Sequence, residues 1–346
     1  MKINKIVLYN FNSYEGLNEF DFTSENSSKN IILIGGKNGA GKTSLFMAIK
    51  LALYGPLSFG YVGINPKYIA KIKDCINSRA FQKDVVKSKV QISVSLMVER
   101  EIKEYEITRE WNYAKQKLDE KYYVKTEDRI LDGQELSYFQ NYLQSMIPPD
   151  LFEFFLFDGE EVGSVFSTST YNYYVKNAVY TNTELIHLIK NLGKDVFASE
   201  IGKQGMELLY KKYKVCEVSQ LQQVLEVDNQ NSTYDLYKRV DISRLSKGER
   251  QIFILSLYWA IIELSGQDIP FIIDTPYARI DANHRKEISE KFFPSISKQV
   301  VILSTDEEIN EEYYEIIKPY IAKEYLLIND ESQNRTTVEQ HYFFEE

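Results

Sequence analysis

Cysteine is almost missing from this chain of 346 residues: Cys75 and Cys216 stand far apart, and no CxxC pair exists. That spacing excludes a disulfide framework and gives no sign of a zinc site. Histidine is equally scarce, and His187, His284 and His341 form no cluster. The sequence also lacks a long apolar run. Its most apolar helical stretch, Ile252 to Leu264, is interrupted by Ser256 and is shorter than the roughly 18 residues needed to span a bilayer. The opening MKINKIVLYNF has no long apolar core of the kind a signal peptide carries. Together these absences predict a cytoplasmic protein with no membrane partner. Positive charge is in deficit too, with 41 Lys and Arg against 50 Asp and Glu and a net charge of −9. General polyanion binding through the overall field is therefore excluded, and any nucleic-acid contact must come from a local patch. Residues 66–89 supply the one candidate: Lys67, Lys71, Lys73, Arg79, Lys83, Lys87 and Lys89 oppose only Asp74 and Asp84. Such a patch fits DNA contact and fits a solvated face equally well.

What is present is concentrated in Asn30 to Tyr54. The apolar run Ile31–Ile34 ends in Gly35-Gly36-Lys37-Asn38-Gly39-Ala40-Gly41-Lys42-Thr43. Leu45, Ala48, Ile49, Ala52 and Leu53 then recur at the spacing of one buried helix face. Gly36 to Thr43 matches the G-x-x-x-x-G-K-[ST] phosphate-binding loop in its strand–loop–helix setting. Gly36, Asn38, Gly39 and Gly41 shape a backbone whose N–H groups can face phosphate oxygens, and the following helix adds its positive end. Lys42 is expected at the β- and γ-phosphates of ATP, with Thr43 in the Mg²⁺ shell and Ser44 beside it.

The rest of the chain reads as an α/β protein. Two strands, KINKIVLYNF and GLNEFDF, are joined by a turn at Asn12-Ser13-Tyr14. Residues 66–83 read as a basic helix. Val90–Glu99 and Glu104–Trp111 read as strands, the first with alternation at Val90, Ile92, Val94 and Leu96, and a third strand falls around Tyr122–Val124. Glu135 to Met146 reads as a helix stopped by Pro148-Pro149. After an aromatic run turning acidic (Leu151–Val162) comes a mostly helical stretch broken by Gly193, Gly202 and Gly205. Pro270–Asp274 and Gln299–Leu303 read as buried strands on either side of a helix over 283–297 that carries Pro294. Strands alternating with helices imply a largely parallel core sheet.

An apolar strand ending in Asp274 is what a Mg²⁺-holding Walker B carboxylate requires. With the phosphate loop and Leu245-Ser246-Lys247-Gly248-Glu249, it resembles the ATPase heads of the SMC, RecF and SbcC group, whose signature motif is LSGG followed by Gln or Glu. The resemblance implies a P-loop NTPase of the ABC/SMC type, with a mixed, antiparallel N-terminal sheet and a parallel-sheet core. It also implies an ATP-dependent homodimer in which Ser246, Gly248 and Glu249 cap the γ-phosphate held by the other subunit, with Asp281 in the adjoining loop.

Finer wording narrows the likeness. Asn10–Tyr14, Phe154–Glu160, Asp274-Thr275-Pro276-Tyr277-Ala278-Arg279-Ile280-Asp281 and Leu303–Glu308 resemble the DndD group, the ATPases of bacterial DNA phosphorothioation. That likeness implies DNA and other sulfur-modification or defence proteins as partners, and covers roughly residues 1–165 and 240–310. The implied organisation is an N-terminal lobe (1–165), a helical lobe with a coiled-coil stub (166–240) and a C-terminal lobe (241–346). Between Val165 and Asp241 there is too little chain for long coiled-coil arms.

Three positions depart from the general ABC pattern. Thr275 stands where the water-polarising glutamate is usual, Thr305 at the switch histidine and Asp158 at the Q-loop glutamine. Loss of a positioned base is worth roughly 10² to 10⁴ in rate. Asp158 and Glu160, on the loop expected to reach the γ-phosphate, are the replacement acids that the resemblance suggests, with a Mg²⁺ or water ligand and a loop-capping acid as the alternative roles for Asp158.

Overall fold

In a computed structural model of the chain, the described residues are 1–82, 85–98, 100–115, 117–127, 129–146, 156–158, 255, 268–277, 280–330 and 332–344. They fall into two compact units: Met1–Phe157 with Ile269–Pro276 and Lys298–Glu346, and Asp158–Asp268 with Tyr277–Ser297.

The first unit holds two six-stranded sheets. β1 (Lys2–Phe11) and β2 (Tyr14–Asp21) form a hairpin, and β4 (Val86–Val98), β5 (Glu101–Ala114), β6 (Lys117–Thr126) and β7 (Arg129–Ile130) extend it in the order β2-β1-β4-β5-β6-β7, all antiparallel. The period-two pattern read at Val90–Leu96 starts earlier than expected. Val86, Val90, Ile92, Val94 and Leu96 are buried with Ser88 among them, so one apolar face runs the length of β4. The second sheet has β3 (Ile31–Gly36), β8 (Leu156–Asp158), β9 (Phe271–Asp274), β10 (Val300–Ser304), β11 (Ile321–Asp330) and β12 (Arg335–Glu339). Its order is β12-β11-β3-β10-β9-β8. β11, β3, β10 and β9 run parallel, and β12 returns antiparallel along β11. β3 and β10 are buried at every residue, as strands covered on both faces must be. The β11–β12 hairpin lies beyond any stretch to which the sequence patterns assigned a strand.

Backbone groups between the sheets are satisfied by buried side chains. Gln299, just before β10, accepts from the Ile3 N–H (2.8 Å) and donates to the Ile3 carbonyl (2.7 Å) and the Phe22 carbonyl (3.4 Å). One amide side chain thereby replaces a strand neighbour for β1. Tyr325 of β11 packs edge-on to Phe20 at 5.2 Å, and its hydroxyl pairs with the Asp21 backbone. Asn10 and Asn12 take left-handed conformations (φ 48° and 49°), and buried Asn77 donates to the carbonyls of Asn12 (2.7 Å) and Asn334 (3.0 Å). Asparagine tolerates this region better than most residues, because its short amide bonds locally.

α1 (Lys42–Tyr54) follows the glycine loop, α2 (Pro66–Cys75) carries the basic segment, and α3 is Gly133–Met146. α2 is capped by Asn65, whose side chain accepts from Lys67 N and Tyr68 N. The basic reading of 66–83 holds as a helix only to Cys75, after which a 3₁₀ turn spans Ser78–Gln82. Cys75 is a free thiol.

In the second unit, the helix expected over 283–297 is not uniform. It runs Ala282–Glu287, widens to a π turn over Ile288–Phe292 and resumes at Phe293–Ile296. Pro294 has no N–H and its ring crowds the preceding turn, and a π widening relieves that conflict. Buried Tyr277 packs against Phe293 and hydrogen-bonds Ser289.

Gln299→Leu keeps the volume but strands the N–H and C=O of Ile3. The expected loss is roughly 3 kcal/mol of unfolding free energy, read from a urea titration, whereas Gln299→Glu at low pH recovers part of it.

Candidate functional site

The site is built at the carboxyl ends of three adjacent parallel strands, where open α/β sheets bind ligands. Ser304 of β10 is in register with Gly35 of β3, and Leu303 with both Ile34 and Asp274. The glycine loop, the Asp274 carboxylate and the turn after β10 therefore leave the sheet side by side.

Gly36 closes β3, and a Cβ there would stand 2.9 Å from that of Ala40. Gly39 (φ 81°) has open space where its Cβ would be, while Gly41 (φ 107°) would place one 2.9 Å from Ser13 Oγ. Asn38 and Gly39 are exposed, as a loop awaiting a ligand requires. Around them four loop carbonyls accept hydrogen bonds from the protein. Lys42 Nζ donates to the carbonyls of Gly36 (2.5 Å) and Lys37 (3.2 Å). Ala40 O accepts from Thr336 Oγ1 at 3.0 Å, and Gly41 O accepts from the Tyr14 hydroxyl at 3.0 Å and from Leu45 N at 3.0 Å. Thr336 is itself tied to Ser13 by side chain (2.8 Å) and backbone (2.7 Å).

Lys42 is buried, and burial pulls its ammonium below the usual lysine range; Asp274, then Glu308, then Asp306 pull it back up. A cation so placed gains by exchanging carbonyl partners for phosphate oxygens. Thr43 opens α1 on the exposed side, Ser44 follows half-buried, and Asp274 ends β9. A hydroxyl and a carboxylate are hard oxygen donors, the set Mg²⁺ takes when phosphates and waters supply the rest. Among the described residues no group of three or more His, Cys, Asp or Glu could hold a metal ion by itself.

Asp158 ends β8. Asp281 belongs to the second unit, where its Oδ1 accepts from His284 N (3.3 Å) and its Oδ2 pairs with His284 Nδ1 (2.5 Å), the geometry of a helix cap. Glu160, Ser246, Gly248 and Glu249 lie outside the described residues, as does the apolar stretch around Ile252–Leu264 apart from Leu255. Of the basic segment, Lys67, Lys71, Lys73 and Lys87 are exposed. Arg79 is committed to Glu15 (3.3 Å) and Gln333 (2.9 Å), and Lys73 lies over the Tyr113 ring.

Sequence reasoning missed the loop's supports. Ser13 and Tyr14 stand at the turn after β1, but nothing in the pattern shows that a turn residue reaches a loop 27 positions later. Thr336 had no signal. Glu308 had one: Thr305-x-x-Glu308 is a capping-box spelling.

A family model described as an AAA domain matches residues 5–341. No curated protein matches the chain. Among solved structures the chain is similar to an SMC head bound to the C-winged helix domain of ScpA, with 15% identity, 99% of each chain covered and a TM-score of 0.57. It is also similar to the SMC head domain from Thermotoga maritima, with 12% identity, 99% of each chain covered and a TM-score of 0.49. The first likeness shows the fold: an SMC-head type of α/β structure. Among the described residues, no helix is long and apolar enough to cross a membrane.

Tyr14→Phe removes the hydroxyl that donates to Gly41 O. The loss of one such bond, about 1 kcal/mol, predicts roughly fivefold weaker ATP binding with the fold intact. Gly41→Ala, strained at φ 107° and crowded by Ser13, is expected to abolish binding. Titration with a fluorescent ATP analogue measures both.

Proposed function

We propose that this chain, which belongs to the AAA domain family, binds ATP with Mg²⁺ and hydrolyses it as an SMC-like head that pairs with a second copy. The observation that carries the reading is the set of four loop carbonyls, of Gly36, Lys37, Ala40 and Gly41, that accept hydrogen bonds from the protein beside Lys42 and the Asp274 strand end. In it, Gly36, Asn38, Gly39 and Gly41 cradle the phosphates, Lys42 neutralises the β- and γ-phosphates, and Thr43 and Asp274 hold the cation. Mg²⁺ would draw charge off the phosphate oxygens. Ser246, Gly248 and Glu249 of one copy would seal the nucleotide held by the other, with Asp281 nearby, a role supported by the signature spelling.

The partner class we favour is DNA, met through exposed Lys67, Lys71 and Lys87, within a DNA sulfur-modification or related defence system. The DndD-like wording of residues 154–160, 274–281 and 303–308 supports that assignment. The lobes 1–165 and 241–346 would form the head, with 166–240 as the helical stub. A second reading, an ATP-gated clamp of negligible turnover, is favoured by one observation: Thr275 stands beside Asp274 with no carboxylate of its own. An SbcC-like role in DNA repair is the third, and shares the same head chemistry.

Lys42→Ala is expected to abolish ATP binding, and Ser246→Arg to leave binding intact while preventing ATP-induced dimers in sedimentation velocity. A Ser246→Arg protein that dimerises normally with ATP overturns the sealing role. Sustained phosphate release that disappears in Asp274→Ala excludes the clamp reading. If DNA stimulates that release, Lys67→Glu with Lys71→Glu is expected to remove the stimulation and leave the basal rate.

A further inference from the structure

The site lacks a carboxylate at position 275 and has one, Glu308, in the turn that follows the neighbouring strand β10. Thr275 is left-handed (φ 49°), a strained state for a β-branched residue, and its N–H donates to Leu303 O at 3.1 Å. Its Oγ1 is buried with no hydrogen-bond partner among the described residues. A threonine hydroxyl there takes no proton near neutral pH.

β10 lies between β3 and β9, so the turn that follows it emerges between the glycine loop and Asp274. In that turn Thr305 and Glu308 close a reciprocal capping box. Thr305 N donates to Glu308 Oε2 (3.3 Å), and Glu308 N donates to Thr305 Oγ1 (3.4 Å). The turn is held from below by the Tyr342 hydroxyl, which bonds the carbonyls of Thr305 (3.2 Å) and Ile309 (3.3 Å), and Ile309 itself is fully buried. Tyr342 stacks flat on Tyr314 and leaves room at Gly35 for no Cβ. One oxygen of Glu308 is thus fixed by the cap, and Oε1 is enclosed by protein. The carboxylate lies close enough to Lys42 for its field to act there, second only to that of Asp274.

We propose that Glu308 orients the water that attacks the γ-phosphate, filling the role that position 275 cannot. The inference rests on the reading of the site as an ATPase. The water oxygen forms a bond to the γ-phosphorus as the bond to the β,γ-bridging oxygen breaks, and ADP leaves with that electron pair. The water's proton passes to the Glu308 carboxylate and from there to the released phosphate. Thr305, at the position of the switch histidine, acts through the cap as a positioning residue.

Glu308→Gln separates this role from capping, because the amide oxygen still accepts from Thr305 N–H. The expected result is unchanged ATP affinity and thermal midpoint, with KM held and single-turnover hydrolysis slowed roughly 10²-fold or more. Glu308→Asp keeps the charge on a shorter arm and is expected to retain more activity than Glu308→Gln. Near-wild-type hydrolysis by Glu308→Gln, or equal rates for the two variants, overturns the inference. So does a wild-type protein that binds ATP without turning it over. Failure of the wild-type protein to bind ATP at all overturns the ATPase reading itself.

Discussion

The structure depends on the hydrogen bonds that tie down the carbonyls of the glycine loop, the loop proposed to meet a phosphate. Four of them, from Gly36, Lys37, Ala40 and Gly41, accept hydrogen bonds from Lys42, Thr336, Tyr14 and the first turn of α1. A peptide whose oxygen is taken on one side presents its N–H to the other. This is how a loop with no regular structure becomes an anion cradle. Burial keeps the Tyr14 phenol well above the ordinary tyrosine range, so it remains a donor at any working pH.

That arrangement also explains why both sheets are needed. The donors come from β2, where Tyr14 begins the strand, and from β12, the last strand of the chain. The two sheets are stitched together by Gln299, Tyr325 and Asn77, each meeting backbone groups that burial would otherwise leave unsatisfied. A loosened stitch would move the supports of the loop before it touched the loop itself. The same logic reaches the turn after β10, where Tyr342 near the end of the described chain holds the Thr305–Glu308 box.

Charge in the site is uneven in a way that suits a polyanion. Lys42 sits in the field of Asp274, Glu308 and Asp306, and burial holds its ammonium below the usual lysine range, so in the proposed complex the loop N–H groups and a cation would share the phosphates' charge with it. The segment most basic in the sequence is only partly available: Lys67, Lys71, Lys73 and Lys87 are exposed, with the Lys73 ammonium over the Tyr113 ring, while Arg79 is paired with Glu15 and Gln333.

The sequence by itself determined the local elements. Gly36 to Thr43 between an apolar strand and an amphipathic helix, the alternation through β4, and the buried runs ending at Asp274 and Ser304 were all legible, since backbone geometry and burial period act over a few residues. Tertiary structure alone decided which distant residues serve the loop. Tyr14 and Thr336 reach the loop across 27 and 296 positions, and Gln299 reaches the backbone of Ile3 across 296. Single polar side chains carry no periodic signal, and only the packing of one sheet on the other chooses their partners. The pairing of β11 and β12 into the core belongs to the same class. Their pattern is short and mixed, and it becomes a strand pair because β3 offers an open edge to pair with.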